Sequence, residues 1–192
     1  MSFITGLAQR GAASTFVDVT VVATATLLVT LSARVSVPFY PVPMTLQTFA
    51  IIGLGFALGP WRAAATVLLY LAEGAVGLPV FAGTPEKGIG LAYMLGPTGG
   101  YLVGYVPAAA LAGWAGRRDW GSKPLAASAA GLVAGAVIYV PGLLWLGAVI
   151  GFDKPVLQYG LYPFIPGDVA KAVLAALLFI AGRAALEEGG RT

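Results

Sequence analysis

Six apolar stretches dominate the chain, at approximately 19–36, 45–59, 61–77, 94–114, 125–150 and 166–186. A helix needs ~20 apolar residues to cross a bilayer, and these runs come near that length. Within hydrocarbon every backbone N–H and C=O must find its partner inside the protein, so such runs fold as helices. The expectation is an all-α integral membrane protein with six transmembrane helices, one membrane domain over 1–192. With 58% hydrophobic and only 10% charged residues, the chain has no soluble composition to set against this. Its net charge of +3 is too small and scattered for a nucleic-acid surface. Cysteine and histidine are both absent, which removes thiolate chemistry and the commonest metal ligand, so no cofactor is expected. No GxxxxGK[ST] motif occurs, and Lys87 sits in Pro85-Glu86-Lys87-Gly88, so any ATP must be used by a partner.

Against that apolar background the polar groups stand out. Asp168 and Lys171, in Pro166-Gly167-Asp168-Val169-Ala170-Lys171, open the last run and share one helix face at i, i+3. Ionisable groups at membrane depth cost roughly 2.5 to 3.5 kcal/mol each, so they face a bundle interior or a wet cavity. Pro166 and Asp168 also suit a helix start, so the pair reads either as a self-neutralising cap or as a polar binding site. Earlier in the chain, Pro38, Pro41 and Pro43 deny regular helix, and Thr45, Gln47 and Thr48 supply hydrogen-bonding groups. The second run, from Thr45 to Gly59, makes only about 22 Å of helix against a core of roughly 30 Å. Its start should lie below the surface and leave a dip.

Glu73, near the end of the third run, sits either at the interface or in a site. The following loop, Gly77 to Tyr93, is turn-rich yet holds Phe81 and Tyr93, which suggests that it packs down on something. In the fourth run Gly96, Gly100, Gly104, Ala108, Ala112 and Gly116 recur every four residues, a stripe that lets helices approach closely. Its upper end, Thr98-Gly99-Gly100-Tyr101, also suits close approach by a ligand. A basic loop holds Arg117, Arg118 and Lys123 between Trp114 and Trp120, and a kink is expected at Pro141-Gly142. The first residues read as an interfacial lead-in.

With six spans, seven basic residues (Arg10, Arg62, Arg117, Arg118, Lys123, Arg183 and Arg191) fall on the terminal side and three (Arg34, Lys87 and Lys154) on the other. The positive-inside rule then makes both N- and C-termini cytoplasmic. Arg34, Thr45, Gln47, Glu73, Phe81, Tyr93, Thr98, Tyr101, Asp168 and Lys171 converge on an outward-facing pocket. Two helix N-termini point at it and favour a bound carboxylate or carbonyl oxygen.

Four motifs in order, Pro41-Val42-Pro43-Met44-Thr45-Leu46-Gln47-Thr48-Phe49, Gly77-Leu78-Pro79-Val80-Phe81-Ala82-Gly83, Leu95-Gly96-Pro97-Thr98-Gly99-Gly100-Tyr101 and Gly167-Asp168-Val169-Ala170-Lys171, resemble the BioY family. These are biotin-binding S components of energy-coupling factor (ECF) vitamin transporters, and the resemblance spans about residues 20 to 186. It implies an S-component fold in the cell membrane of a prokaryote, with biotin held under the loops after helices 1 and 3. It also implies two partners, a transmembrane coupling protein of the BioN type and an ATPase of the BioM type. In the family the S component docks through small residues on helix 1, where this chain has Thr24, Ala25, Thr26 and Thr30 but no clean AxxxA.

On that reading Asp168 accepts from the ureido N–H groups, while Lys171 keeps Asp168 ionised and donates to the ureido oxygen. Phe81, Tyr93 and Tyr101 stack on the rings and chain, Thr45, Gln47 and Thr98 are candidate hydrogen-bonders, and Gly99 and Gly100 allow close approach. The biotin carboxylate meets Arg34 or a helix N-terminus. The rival readings are a stand-alone or proton-coupled secondary transporter, which should carry internal repeats not evident here, and an intramembrane enzyme. An aspartyl protease needs a second membrane aspartate, and Asp18, Asp119 and Asp153 sit at or outside helix ends.

Overall fold

The computed structural model describes residues 2–118 and 123–189; Asp119, Trp120 and Arg191, considered above, lie outside them. Among the described residues the chain is helical apart from one two-stranded ribbon. Helix α1 (Ser2–Arg34) leads into strands β1 (Ser36–Val37) and β2 (Met44–Thr45), then α2 (Gln47–Leu58) and α3 (Pro60–Ala75). A loop carries the short α4 (Leu91–Met94), followed by α5 (Gly99–Gly116), α6 (Pro124–Ile150), the short α7 (Val156–Gly160) and α8 (Ile165–Gly189). By length and composition Thr15–Arg34, Pro124–Ile150 and Val156–Gly189 are each apolar enough to cross a membrane. Large apolar side chains such as Leu27, Leu31, Leu125, Val133, Leu174 and Leu178 stand exposed, which suits hydrocarbon and not water.

Several boundaries differ from the sequence expectation. The first residues are not a separate lead-in but the beginning of α1. Thr45 does not open α2; it pairs with Ser36 in the antiparallel ribbon, and its hydroxyl accepts from the Gln47 backbone N–H at 3.2 Å. The helix expected from 94 begins at Gly99, with Gly96 and Pro97 separating it from α4. Pro141 lies inside α6, which runs as one helix from Pro124 to Ile150.

Helix α5 is central, packing against α6, α2 and α3. Small residues make this possible. A Cβ on Gly104 would lie 2.8 Å from the Ile138 carbonyl of α6, and one on Gly113 would lie 2.4 Å from Gly59 in the α2–α3 turn. That turn needs its own glycine, since Gly59 sits at φ +80°, and Pro60 then opens α3 where no N–H is required.

The core divides in two. Around Ile52 and Phe56 the packing is mostly alanine (Ala112, Ala115, Ala127, Ala134, Ala172, Ala175 and Ala176), which draws α2, α5, α6 and α8 together. The other half is aromatic, with Tyr70, Phe81, Tyr93, Tyr101, Tyr105 and Phe164. Rings so large and partly polar leave gaps where alanines close them, so the aromatic half is where a cavity can form.

Phe81 pins the loop after α3 into this half. It is fully buried, stacked on Tyr93 at 4.9 Å and edge-on to Tyr70 at 5.4 Å. Its ring occupies the space a side chain at position 74 would need, since a Cβ on Gly74 would fall 1.9 Å from Phe81 Cζ. Gly74→Val should therefore destabilise the protein in detergent by ~1–3 kcal/mol, the usual scale of overpacking, and Phe81→Ala in the same chain should recover part of the loss. Thermal unfolding of the two single variants and the double variant measures this.

Candidate functional site

At the N-terminal end of α8, Asp168 and Lys171 form an ion pair at 2.5 Å, with side chains only 15% and 12% exposed. Two charges taken out of water require further hydrogen bonds, and the neighbouring elements supply them. Thr48 of α2 donates to Asp168 Oδ1 at 3.2 Å, and the Tyr139 hydroxyl of α6 donates to Oδ2. Lys171 Nζ donates to the Thr45 carbonyl at 2.8 Å. The pair is thus more than a cap on its own helix, because it joins α8 to α2, α6 and the ribbon.

Beside it lies a cavity of about 40 Å³. Its polar wall is Thr45, Gln47, Tyr93, Thr98, Tyr101, Tyr105, Tyr139 and Lys171, and its apolar wall includes Val42, Met44, Leu102 and Phe164. Sites for small organic ligands run to about 300–1,000 Å³, so a vitamin-sized guest must displace part of this wall. Much of the wall hangs on one chain of hydrogen bonds. Thr45 Oγ1 donates to Gln47 Oε1 at 3.1 Å, Gln47 Nε2 donates to the Tyr70 hydroxyl at 2.8 Å, and Tyr70 donates to the Val80 carbonyl at 3.2 Å. Ribbon, α2, α3 and the loop after α3 are thereby fixed to one another. From the far side Tyr101 donates to the Gly160 carbonyl at 2.8 Å, tying α5 to α7.

Of the sequence-expected residues, Thr45, Gln47, Tyr93, Thr98, Tyr101 and Lys171 lie on the cavity wall. Asp168 does not line that cavity; it stands behind Lys171 and Tyr139, its oxygens already accepting three donors. Phe81 is likewise one layer back, supporting Tyr93. Arg34 is turned away: its guanidinium donates to the Thr84 carbonyl at 3.2 Å and to the Pro79 carbonyl, holding the loop from outside. Glu73 accepts from Thr26 of α1 at 3.0 Å and does not reach the cavity. Gly99 and Gly100 serve packing, since a Cβ on Gly100 would lie 2.3 Å from the Pro141 carbonyl and one on Gly99 2.9 Å from Trp145 Nε1.

Sequence reasoning missed Tyr105, Tyr139, Met44 and Phe164, all on the wall. Tyr105 follows Tyr101 by four residues and so shares its helix face. Tyr139 carries the one hydroxyl deep within an otherwise apolar stretch of α6, a signal of the same kind as a membrane-depth charge. Among the described residues no cluster of His, Cys, Asp or Glu could hold a metal.

An apolar helix bundle around a small polar cavity with a buried ion pair is the arrangement of a multi-pass membrane protein of the transporter-subunit class, and known proteins agree. The fold matches the crystal structure of the S-component for biotin from an ECF-type ABC transporter, with a TM-score of 0.71 and 26% identity, covering 90% of this chain and 93% of that one. Residues 8–188 match the BioY family, and the chain belongs to it. It is 40% identical over 161 residues to the probable biotin transporter BioY of Pyrococcus horikoshii, covering 84% of this chain and 93% of the relative. The biotin transporters BioY of Rhizobium etli and Thermotoga maritima are 38% and 36% identical, covering 79% and 80% of this chain and 82% and 88% of theirs.

Removing one partner of a buried ion pair strands the other charge. Lys171→Met should therefore lower stability by ~3–5 kcal/mol, whereas Lys171→Met with Asp168→Asn should lie closer to the parent because no unpaired charge remains. Denaturation of the single and double variants in detergent reads the coupling directly.

Proposed function

We propose that this chain is the biotin-capturing S component of an ECF-type vitamin transporter. The observation that carries this reading is the Lys171 ammonium, largely buried on the wall of an aromatic-lined cavity in a chain of the BioY family. Biotin presents a ureido carbonyl with two N–H groups, an apolar ring and chain, and a carboxylate. Lys171 donates to the ureido oxygen, and Asp168 keeps Lys171 charged and aimed. When the guest displaces a donor from Asp168, that carboxylate also accepts from the ureido N–H groups. Tyr93, Tyr101 and Tyr105 cover the ring and chain, adding apolar burial at about 25 cal/mol per Å². Thr45, Gln47 and Thr98 are the neutral hydrogen-bonders, and no cofactor takes part.

In this reading the chain crosses the cytoplasmic membrane of a prokaryote six times, through α1, α2, α3, α5, α6 and α8, as one domain. Both termini are cytoplasmic, following the seven-to-three distribution of basic residues. The cavity then faces outward under the ribbon and the loop after α3. Energy comes from partners, a coupling protein of the BioN type and an ATPase of the BioM type, since the chain has no phosphate-binding loop of its own.

Equilibrium binding of labelled biotin to the purified chain tests this. Lys171→Met should weaken binding by more than ~2 kcal/mol, about thirty-fold, the scale for removing a buried charged partner. Arg183→Gln, whose side chain pairs with Glu187 near the far end of α8, should change it far less. Unimpaired binding by the Lys171 variant, or none by the parent, contradicts the proposal at the site or at the ligand respectively.

A further inference from the structure

A second concavity lies at the opposite end of the molecule from the aromatic half of the core. Between the C-terminal part of α5 and the N-terminal part of α6 runs a groove of about 360 Å³, lined by Leu111, Trp114, Ala126, Ala129, Ala130 and Val133. Its wall is wholly apolar, Trp114, Ala129 and Val133 are exposed, and it faces outward from the bundle. Its mouth is basic. The Arg118 guanidinium rests over the Trp114 ring at 4.5 Å, so a cation sits directly on the groove's rim. Lys123 stands exposed as the N-cap of α6, one turn before Ala126 of the groove wall. First-turn amides and the positive helix end therefore add to the field of Arg118 and Lys123. Arg117 is otherwise engaged, packed over Gly59. The single acid in this stretch of sequence, Asp119, leaves basic charge in excess.

An apolar trough that opens to hydrocarbon and ends in cations at the interface has the chemistry of an anionic phospholipid, with acyl chain along the alanines and phosphate at the mouth. We infer that the α5–α6 groove binds an anionic phospholipid through Arg118 and Lys123, at a site separate from the cavity beside Lys171. The alanines are what make it selective in shape, since larger side chains at 126, 129 and 130 would fill the trough.

Native mass spectrometry of the full chain released from detergent, with dioleoylphosphatidylglycerol or dioleoylphosphatidylcholine added, tests the inference. The parent should retain the anionic lipid over the zwitterionic one by on the order of thirtyfold, which is ~2 kcal/mol, as expected for two basic contacts. Arg118→Gln with Lys123→Gln should bring the anionic lipid down to the level of the zwitterionic one. Ala129→Trp, which fills the groove without touching a charge, should reduce both. Lys87→Gln with Lys154→Gln, at loops remote from the groove, should leave the preference intact. Equal retention of the two lipids by the parent, a preference that survives the Arg118/Lys123 change, or its loss in the Lys87/Lys154 control would overturn the assignment. If the Arg118/Lys123 variant does not fold, retention by Ala129→Trp decides, and parent-like retention there counts against the site.

Discussion

The ion pair between Asp168 and Lys171 is the constraint on which the site depends. A carboxylate and an ammonium brought to membrane depth are tolerable only if the protein replaces the water they lose. Here the replacement is Thr48, Tyr139 and the Thr45 carbonyl, drawn from three different elements. Solvating the pair therefore forces α2, α6 and the ribbon to meet at the first turns of α8. The meeting point is the floor and side wall of the cavity. Position of the cavity and solvation of the charges are one requirement with two consequences.

The rest of the architecture serves that meeting. At one end alanine and glycine bring backbones together, as at Gly113 against Gly59 and in the alanine cluster around Phe56, leaving little room. At the other end tyrosines carry their hydroxyls to carbonyls on separate segments, Tyr70 to Val80 and Tyr101 to Gly160. Each such bond both satisfies a buried phenol and holds a covering segment in place. The loop after α3 is secured from inside by Phe81 and Tyr70 and from outside by Arg34. It is held by several modest contacts and one buried ring.

Which parts were legible in the sequence follows from what each signal measures. Membrane depth makes a charge expensive, so Asp168 and Lys171 announced themselves; hydrogen-bonding groups after the prolines pointed to Thr45 and Gln47, and the bare glycines beside it to Thr98. What periodicity and cost do not encode is which neighbour satisfies a group. Arg34 had a binding role in the sequence reading because an unassigned cation near a pocket suggests an anionic ligand, yet both of its terminal nitrogens donate to loop carbonyls. Phe81 and Gly74 form a knob and a hole between segments remote in topology, a relation visible only once the loop is folded. Gly99 and Gly100 present bare backbone whether the visitor is a ligand or a neighbouring segment, and the Met94 carbonyl of α4 and the face of α6 are what lie there. Tyr105 and Tyr139 were passed over because neither adjoins the glycine-rich and loop segments that drew attention to Tyr101 and Tyr93, although each carries a hydroxyl within an apolar run.

If the ion pair locates the ligand site beneath the ribbon and the loop after α3, biotin must order those covers from inside. Amide hydrogen exchange of the chain in detergent, with and without biotin, follows this segment by segment. The account requires slower exchange at 35–46 and 77–98 and in the first turns of α8, with α5 beside α6 at residues 111–116 unchanged. Unaltered exchange in both covers at saturating biotin, or protection confined to other segments, would place the ligand elsewhere and contradict it.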